Sequence, residues 1–164
     1  TPIYLLGAAM EHHHRMISEM PDLVRTSAIE SGERAFSMSG YKPNDMSTIQ
    51  LYDAFTINTL LFLEDLGFCK KGEAKELVKN KNIGPAGNLK VNTNGGGLSC
   101  VHPGMYGLFV TLEALRQLRN ASGDDVGKRL DGGWIDNAKL SVAHGNGGVL
   151  SSQVTNIWGV SDTL

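Results

Sequence analysis

Asn92-Thr-Asn-Gly-Gly-Gly-Leu-Ser-Cys-Val-His102-Pro-Gly-Met-Tyr-Gly107 decides the fold, because a glycine-rich bend here runs straight into the most regular helix pattern of the chain. Leu108, Leu112, Leu115 and Leu118 recur at helical spacing over Met105–Arg119, and Arg116 and Arg119 occupy the last turn, where cations oppose the helix dipole. A helix that starts at such a bend directs free N–H groups at whatever binds there. His102, stiffened at its exit by Pro103, can move protons near neutral pH. A second glycine-framed histidine, His144, opens His144-Gly-Asn-Gly-Gly148. Glycine lets a backbone approach a ligand closely, so the two loops predict one active site. Its expected substrate-binding positions are Gly95, Gly96, Gly97 and Pro103 on one loop and Gly145, Asn146, Gly147 and Gly148 on the other.

Outward from these loops the chain alternates strand and helix. Ile3–Ala9 reads as a buried strand, followed by a polar loop through Glu11-His-His-His-Arg15. Asp22–Ser39 reads as a helix, with Leu23, Ala28, Ile29, Ala35, Phe36 and Met38 near helical spacing and Gly40 closing it. Thr48–Tyr52 has the β-branched and aromatic content of a short strand, and a second helix begins near Asn58 and stops at Gly67. A short helix is expected from Gly72 to about Val78, loop over 80–94 and a polar surface excursion over 120–137. Ala138–His144 and Gly148–Trp158 then read as two strands flanking a Gly145–Gly148 loop. This order predicts an α/β layered domain, a sheet covered by helices.

With 164 residues and 41% apolar content, the chain has room for one domain with a substantial core. Fifteen basic against seventeen acidic residues leave a formal charge of -2, so no excess positive charge advertises nucleic acid as a partner. No apolar run approaches the roughly 20 residues that span a bilayer, and a cytoplasmic location is expected. Cys69 and Cys100 do not make a disulfide framework. His12, His13 and His14 are consecutive and point in different directions, so no metal site is expected of them. Gly95–Gly97 lack the Lys-Ser/Thr of a P-loop, which excludes a nucleoside triphosphatase.

With Tyr52-Asp-Ala-Phe55 upstream, the two histidine loops resemble, in order, the Asn-Glu-Ala-Phe, Gly-His-Pro and Cys-x-Gly-Gly-Gly loops in the C-terminal half of a thiolase. Gln50-Leu-Tyr-Asp-Ala-Phe-Thr56, Leu63-Glu-Asp-Leu-Gly-Phe68 and Glu113-Ala-Leu-Arg-Gln-Leu-Arg119 are similar to the lipid-transfer and sterol-carrier-protein branch of that superfamily. The likeness runs from about Ile3 to Trp158. It implies a thiolase-like half, a five-stranded mixed sheet covered by helices in layers, with a coenzyme A thioester as substrate and no cofactor.

The resemblance also implies roles. His102 matches the histidine that activates the nucleophilic cysteine and helps hold the thioester oxygen, with Val101 departing from the family's glycine. His144 stands where the family has its acid/base cysteine; the alternative is a structural histidine. Tyr52 replaces the Asn that orders the water of an oxyanion hole, and is either a hydrogen-bond donor or a buried strand-end tyrosine. Asp53 replaces Glu as a supporting residue. A local Cys100/His102 dyad is the weaker reading, since working dyads generally join separate segments.

The chain carries no counterpart of the N-terminal half, which holds the nucleophile in thiolases, and it starts on Thr1 at an apolar strand. A truncated, inactive product that exposes an apolar patch is therefore expected, pairing as a homodimer or with an N-terminal half. A zinc-ribbon/OB-fold protein is a further expected partner. The implied activity is carbon–carbon bond cleavage or formation beside a CoA thioester, by acyl transfer or by retro-aldol reaction of the kind some members run on steroid side-chain CoA esters. The alternatives are a non-catalytic lipid-CoA carrier and a scaffold subunit.

Overall fold

The computed structural model describes residues 1–84, 86–101, 103–120 and 133–164. His102 and most of the expected 120–137 excursion lie outside them. Strand β1 (Ile3–His12) is followed by helix α1 (Ala28–Ser39), β2 (Thr48–Leu51), α2 (Thr56–Asp65), α3 (Ala74–Lys79), a single turn α4 (Gly96–Ser99), α5 (Tyr106–Asn120), β3 (Leu140–Gly147) and β4 (Ser152–Val160).

The sheet has four strands rather than the expected five, in the order β1-β4-β3-β2. β1 and β3 both pair antiparallel with β4, while β2 runs parallel to β3. The place of a fifth strand, beside β2, holds a lone parallel bridge between Ile49 and Val91. Two backbone bonds support it: Ile49 N–H donates to Lys90 O and Asn92 N–H to Ile49 O, both at 2.9 Å. Beyond that the Asn92 side chain takes over, its Oδ1 accepting Leu51 N–H at 2.7 Å, so the ladder ends after one bridge.

Helices cover both faces. α1 and α2 bury Ala35, Phe36, Leu61, Phe62 and Leu63 against Ile49, Leu51, Val142 and Ile157. Gly7 permits the close approach of β1 to α1, since a Cβ there would lie 2.1 Å from Ala35 O. On the other face α5 packs Tyr106, Val110 and Ala114 onto Ala143. Leu118 forms a smaller cluster with Ala138 and Val160. Leu108 and Leu112 are exposed at 59% and 54%, and with exposed Phe109 they form a second apolar stripe on α5. A helix apolar on two sides satisfies the period twice, and Tyr106, Val110 and Ala114 win because they face the sheet.

Two boundaries also move. α1 starts at Ala28 rather than Asp22, because side chains satisfy the preceding backbone: Asp22 Oδ1 accepts Val24 N–H at 2.9 Å, Asp65 Oδ2 accepts Thr26 N–H at 2.9 Å, and Thr26 Oγ1 accepts Ala28 N–H at 3.1 Å. The expected Gly145–Gly148 loop is in large part strand: Gly145, Asn146 and Gly147 pair with Val154, Gln153 and Ser152, and only then does the hairpin turn. Gly40 ends α1 in the left-handed conformation, φ 75°, and Gly67 follows α2 with φ 84°.

Candidate functional site

β2 and β3 are parallel, and ligands in open α/β sheets bind beyond the carboxyl ends of such strands. An apolar groove of about 1130 Å³ occupies that place. Tyr52 leads into it from β2, Gly145, Asn146, Gly147 and Gly148 from β3 and its turn, and Ala143, Val154 and Asn156 from the sheet. The first turns of two helices close it, with Ile57 and Asn58 from α2 and Gly107 and Leu108 from α5. Phe55, Ile57, Met105 and Leu108 are each more than half exposed, so the groove is flanked by uncovered apolar side chains.

Tyr52 packs edge-on against Tyr106, their ring centroids 5.2 Å apart. Burial first, and the neighbouring Asp53 second, raise its pKa above the ordinary tyrosine value. The phenol therefore stays protonated at neutral pH.

Asp53 is buried and turns the other way, accepting Gly97 N–H at 2.5 Å. A Cβ on Gly96 would sit 2.1 Å from Asp53 Oδ2, so only glycine allows the loop to close over this carboxylate. Gly95, Gly96 and Gly97, expected as substrate-binding positions, do not line this groove, and the Gly97 amide is already taken by Asp53. Pro103 is likewise absent from the lining.

The largest correction concerns His144. Within a strand, successive side chains face opposite sides, so Ala143 and Gly145 look onto the groove while His144 looks away from it. Its ring is wholly buried and meets Phe62 edge-on, centroids 4.5 Å apart. Both nitrogens are engaged, Nδ1 with Thr155 Oγ1 and Nε2 with Gln153 Oε1, each at 2.9 Å.

The network assigns the protons. Gln153 Nε2 donates to Asn146 Oδ1 at 3.2 Å and to Leu150 O at 3.1 Å, which leaves Gln153 Oε1 as an acceptor and puts the hydrogen of His144 on Nε2. Thr155 then donates to Nδ1, and its oxygen lies 2.9 Å from the Ser31 hydroxyl, whose single hydrogen is shared between Thr155 Oγ1 and Ala28 O, 3.3 Å away. Desolvation lowers the His144 pKa from 6.5 to about 4, with the Gln153 bond opposing it. A neutral imidazole with both nitrogens committed does not exchange protons with a ligand in this arrangement. It positions Gln153, and through it Asn146.

Asn58, unremarked in the sequence beyond marking a helix start, is 2% exposed and lines the groove. Its backbone N–H donates to Phe55 O at 3.0 Å, and its carboxamide makes no hydrogen bond among the described residues. A lone asparagine ahead of Leu60-Leu61-Phe62-Leu63 is the signal that could have found it.

The histidine run is distributed rather than clustered. His12 Nδ1 lies 2.7 Å from Ser152 Oγ, His13 faces Glu30 at 3.9 Å, and His14 is buried with Nε2 3.3 Å from Val149 O. Among the described residues no group of three or more His, Cys, Asp or Glu is placed to hold a metal ion. Nor is any helix among them long and apolar enough to cross a membrane.

A family model described as "Thiolase C-terminal domain-like" matches residues 9–160. The chain belongs to the thiolase C-terminal domain-like family. It is 29% identical to an acetyl-CoA acetyltransferase of Methanothermobacter thermautotrophicus over 96% of this chain and 40% of the relative. It is 34% identical to human sterol carrier protein 2 over 72% of this chain and 20% of that protein. Among solved structures, the Ltp2-ChsH2(DUF35) aldolase matches with a TM-score of 0.80 and 26% identity, over 99% of this chain and 41% of that one. The thiolase-like chain thus spans less than half the length of each of these relatives.

Proposed function

We propose that this thiolase-like chain supplies the acyl groove and a proton donor of an enzyme that breaks or makes a carbon–carbon bond beside a CoA thioester, with retro-aldol cleavage favoured over thiolysis. The observation that carries the reading is an apolar groove that meets a protonated Tyr52 at the carboxyl ends of two parallel strands. An apolar trough suits an acyl group, and a donor at its polar end suits the oxygen of a thioester.

Retro-aldol cleavage of a β-hydroxyacyl thioester needs a base for the hydroxyl proton and a donor at the thioester oxygen. The Cα–Cβ bond breaks as the β-oxygen becomes a carbonyl, its electrons pass to the thioester as an enolate, and Cα is then protonated. Tyr52 is the donor in this scheme, and His102 is the base on the strength of its sequence pattern. Thiolysis needs an activated thiolate instead. Burial, aided by Glu64 and Glu73, pushes the Cys69 thiol up to about 11, and Cys100 is exposed and outside the groove lining. The match to an aldolase supports the same preference, and the match to an acetyltransferase keeps acyl transfer as the alternative should a thiol come from outside this chain. The aldolase carries a two-component name, which supports a partner subunit here; a homodimer through the uncovered α5 stripe is the other assembly we propose.

A second reading, carriage of a lipid-CoA without turnover, is favoured by the apolar lining and the sterol carrier match. Mass-resolved turnover of several acyl-CoA esters by the protein at its natural length separates the two. Tyr52→Phe and His102→Ala are expected to lose at least tenfold in kcat, and rates equal to the unmodified protein in both would remove the catalytic assignment. Assayed alone, the 164-residue chain is expected to be inactive, and steady thiolysis of acetoacetyl-CoA by it would refute that.

A further inference from the structure

We propose that Asn58 and the open first turn of α2 form a hydrogen-bonding subsite for an oxygen, ketone or hydroxyl, carried on an otherwise apolar acyl group. This deepens the reading of the groove as an acyl site and rests on it. α2 is ten residues long, and its N-cap is Phe55, whose phenyl ring cannot accept a hydrogen bond; no side-chain cap bond is present. The amides of Thr56 and Ile57 therefore open the helix without a side-chain partner, at the end where the dipole is positive. Directly after them stands Asn58, almost fully buried, its carboxamide lining the groove with no hydrogen bond among the described residues.

Three other polar groups of the lining are committed. Thr111 donates to Gly107 O at 3.1 Å, Ser152 is tied to His12, and Asn146 Oδ1 is held by Gln153. Asn58 is the lining residue that is both buried and uncommitted, and its neighbours Phe55 and Ile57 give a ligand little else polar to meet. The Asn58 polar atoms are not among the fully desolvated ones that lack a partner, so the carboxamide keeps access to the groove, where a ligand oxygen can take the place of solvent. A site built this way rejects an analogue that lacks the oxygen more strongly than an apolar pocket rejects a missing methylene. The acyl groups it prefers are oxygenated ones rather than plain hydrocarbon chains.

The test uses an isosteric probe pair, cyclohexanone and methylenecyclohexane, titrated by NMR into the natural-length protein and its Asn58→Leu variant. The ketone's advantage over the hydrocarbon is expected to fall about tenfold in the variant. An unchanged ratio, or no binding of cyclohexanone, overturns the subsite. Decanoyl-CoA is titrated in parallel. If it fails to bind while the ketone discrimination persists, the acyl-CoA reading falls and the oxygen subsite stands; if it binds both proteins and the ratio is unchanged, the subsite alone falls.

Discussion

Acidification should destabilise this protein through His144, and the size of the effect follows from its environment. The folded-state pKa of about 4 lies below imidazole's ordinary 6.5, so between those values the unfolded chain binds a proton that the folded chain refuses. Stability therefore rises with pH across this window and is lost as pH falls through it. At pH 5 the unfolded state gains about RT ln[(1 + 10^1.5)/(1 + 10^-1)], roughly 2 kcal/mol, relative to pH 8. Carboxylates add their own slope, so the measurement is a difference. Urea unfolding of the unmodified protein and of His144→Gln is followed from pH 8 to pH 5. Glutamine can offer an acceptor to Thr155 and a donor to Gln153 but does not titrate. The variant is expected to close on the unmodified protein by about 2 kcal/mol as the pH falls. A stability difference that stays flat over the window would refute the buried, neutral imidazole, and with it the argument that removes His144 from proton transfer.

Four further outcomes are expected. Gly96→Ala, with φ +72 and its Cβ 2.1 Å from Asp53 Oδ2, should cost about 3 kcal/mol by thermal melting, whereas Gly40→Ala, left-handed at φ +75 but in open space, should cost about 1 kcal/mol. Asp53→Ala should lose about 1–2 kcal/mol with the Gly97 bond, read from the urea midpoint. Lys71→Met strands the Asp65 carboxylate, whose side chain is wholly buried; because Lys71 is itself 40% exposed and Thr26 keeps two bonds to Asp65, a loss of about 2 kcal/mol is expected rather than the 3–5 of a sealed pair. The rate profile of the natural-length protein should show no tyrosinate limb below pH 10, since the Tyr52 pKa is raised; an activity loss near pH 8 that Tyr52→Phe removes would contradict this.

The α/β layering, the order of the main elements and the family were legible in the sequence because they rest on local signals. Leu60, Leu61 and Leu63 ahead of Gly67, and Ile157 within a run rich in β-branched residues, report their own element. The four strands and the loop over 80–94 were legible in the residues; the fifth strand came from the resemblance alone, and in this chain Asn92 Oδ1 with Leu51 N–H ends its ladder after one bridge. The clasp of Asp53 on Gly97 was not legible, because it joins residues 44 apart. Glycine ahead of a histidine reads as freedom to meet ligand, yet Gly96 is required for packing against a buried carboxylate.

His144 carries the physical lesson in one residue. The motif His144-Gly-Asn-Gly-Gly148 reads as a loop because of its glycines, and a loop leaves the direction of a side chain open. Pairing with β4 through Gly147 turns it into strand, and a strand has a period of two. Once Ala143 and Gly145 face the groove, His144 must face α2, where Phe62, Thr155 and Gln153 enclose it. By the same period Asn146 shares the face of His144, and there its Oδ1 accepts from Gln153 Nε2. Gln153→Leu should therefore lower stability while leaving the pH dependence of kcat unmoved. A shift of that profile instead would return the imidazole to the reaction.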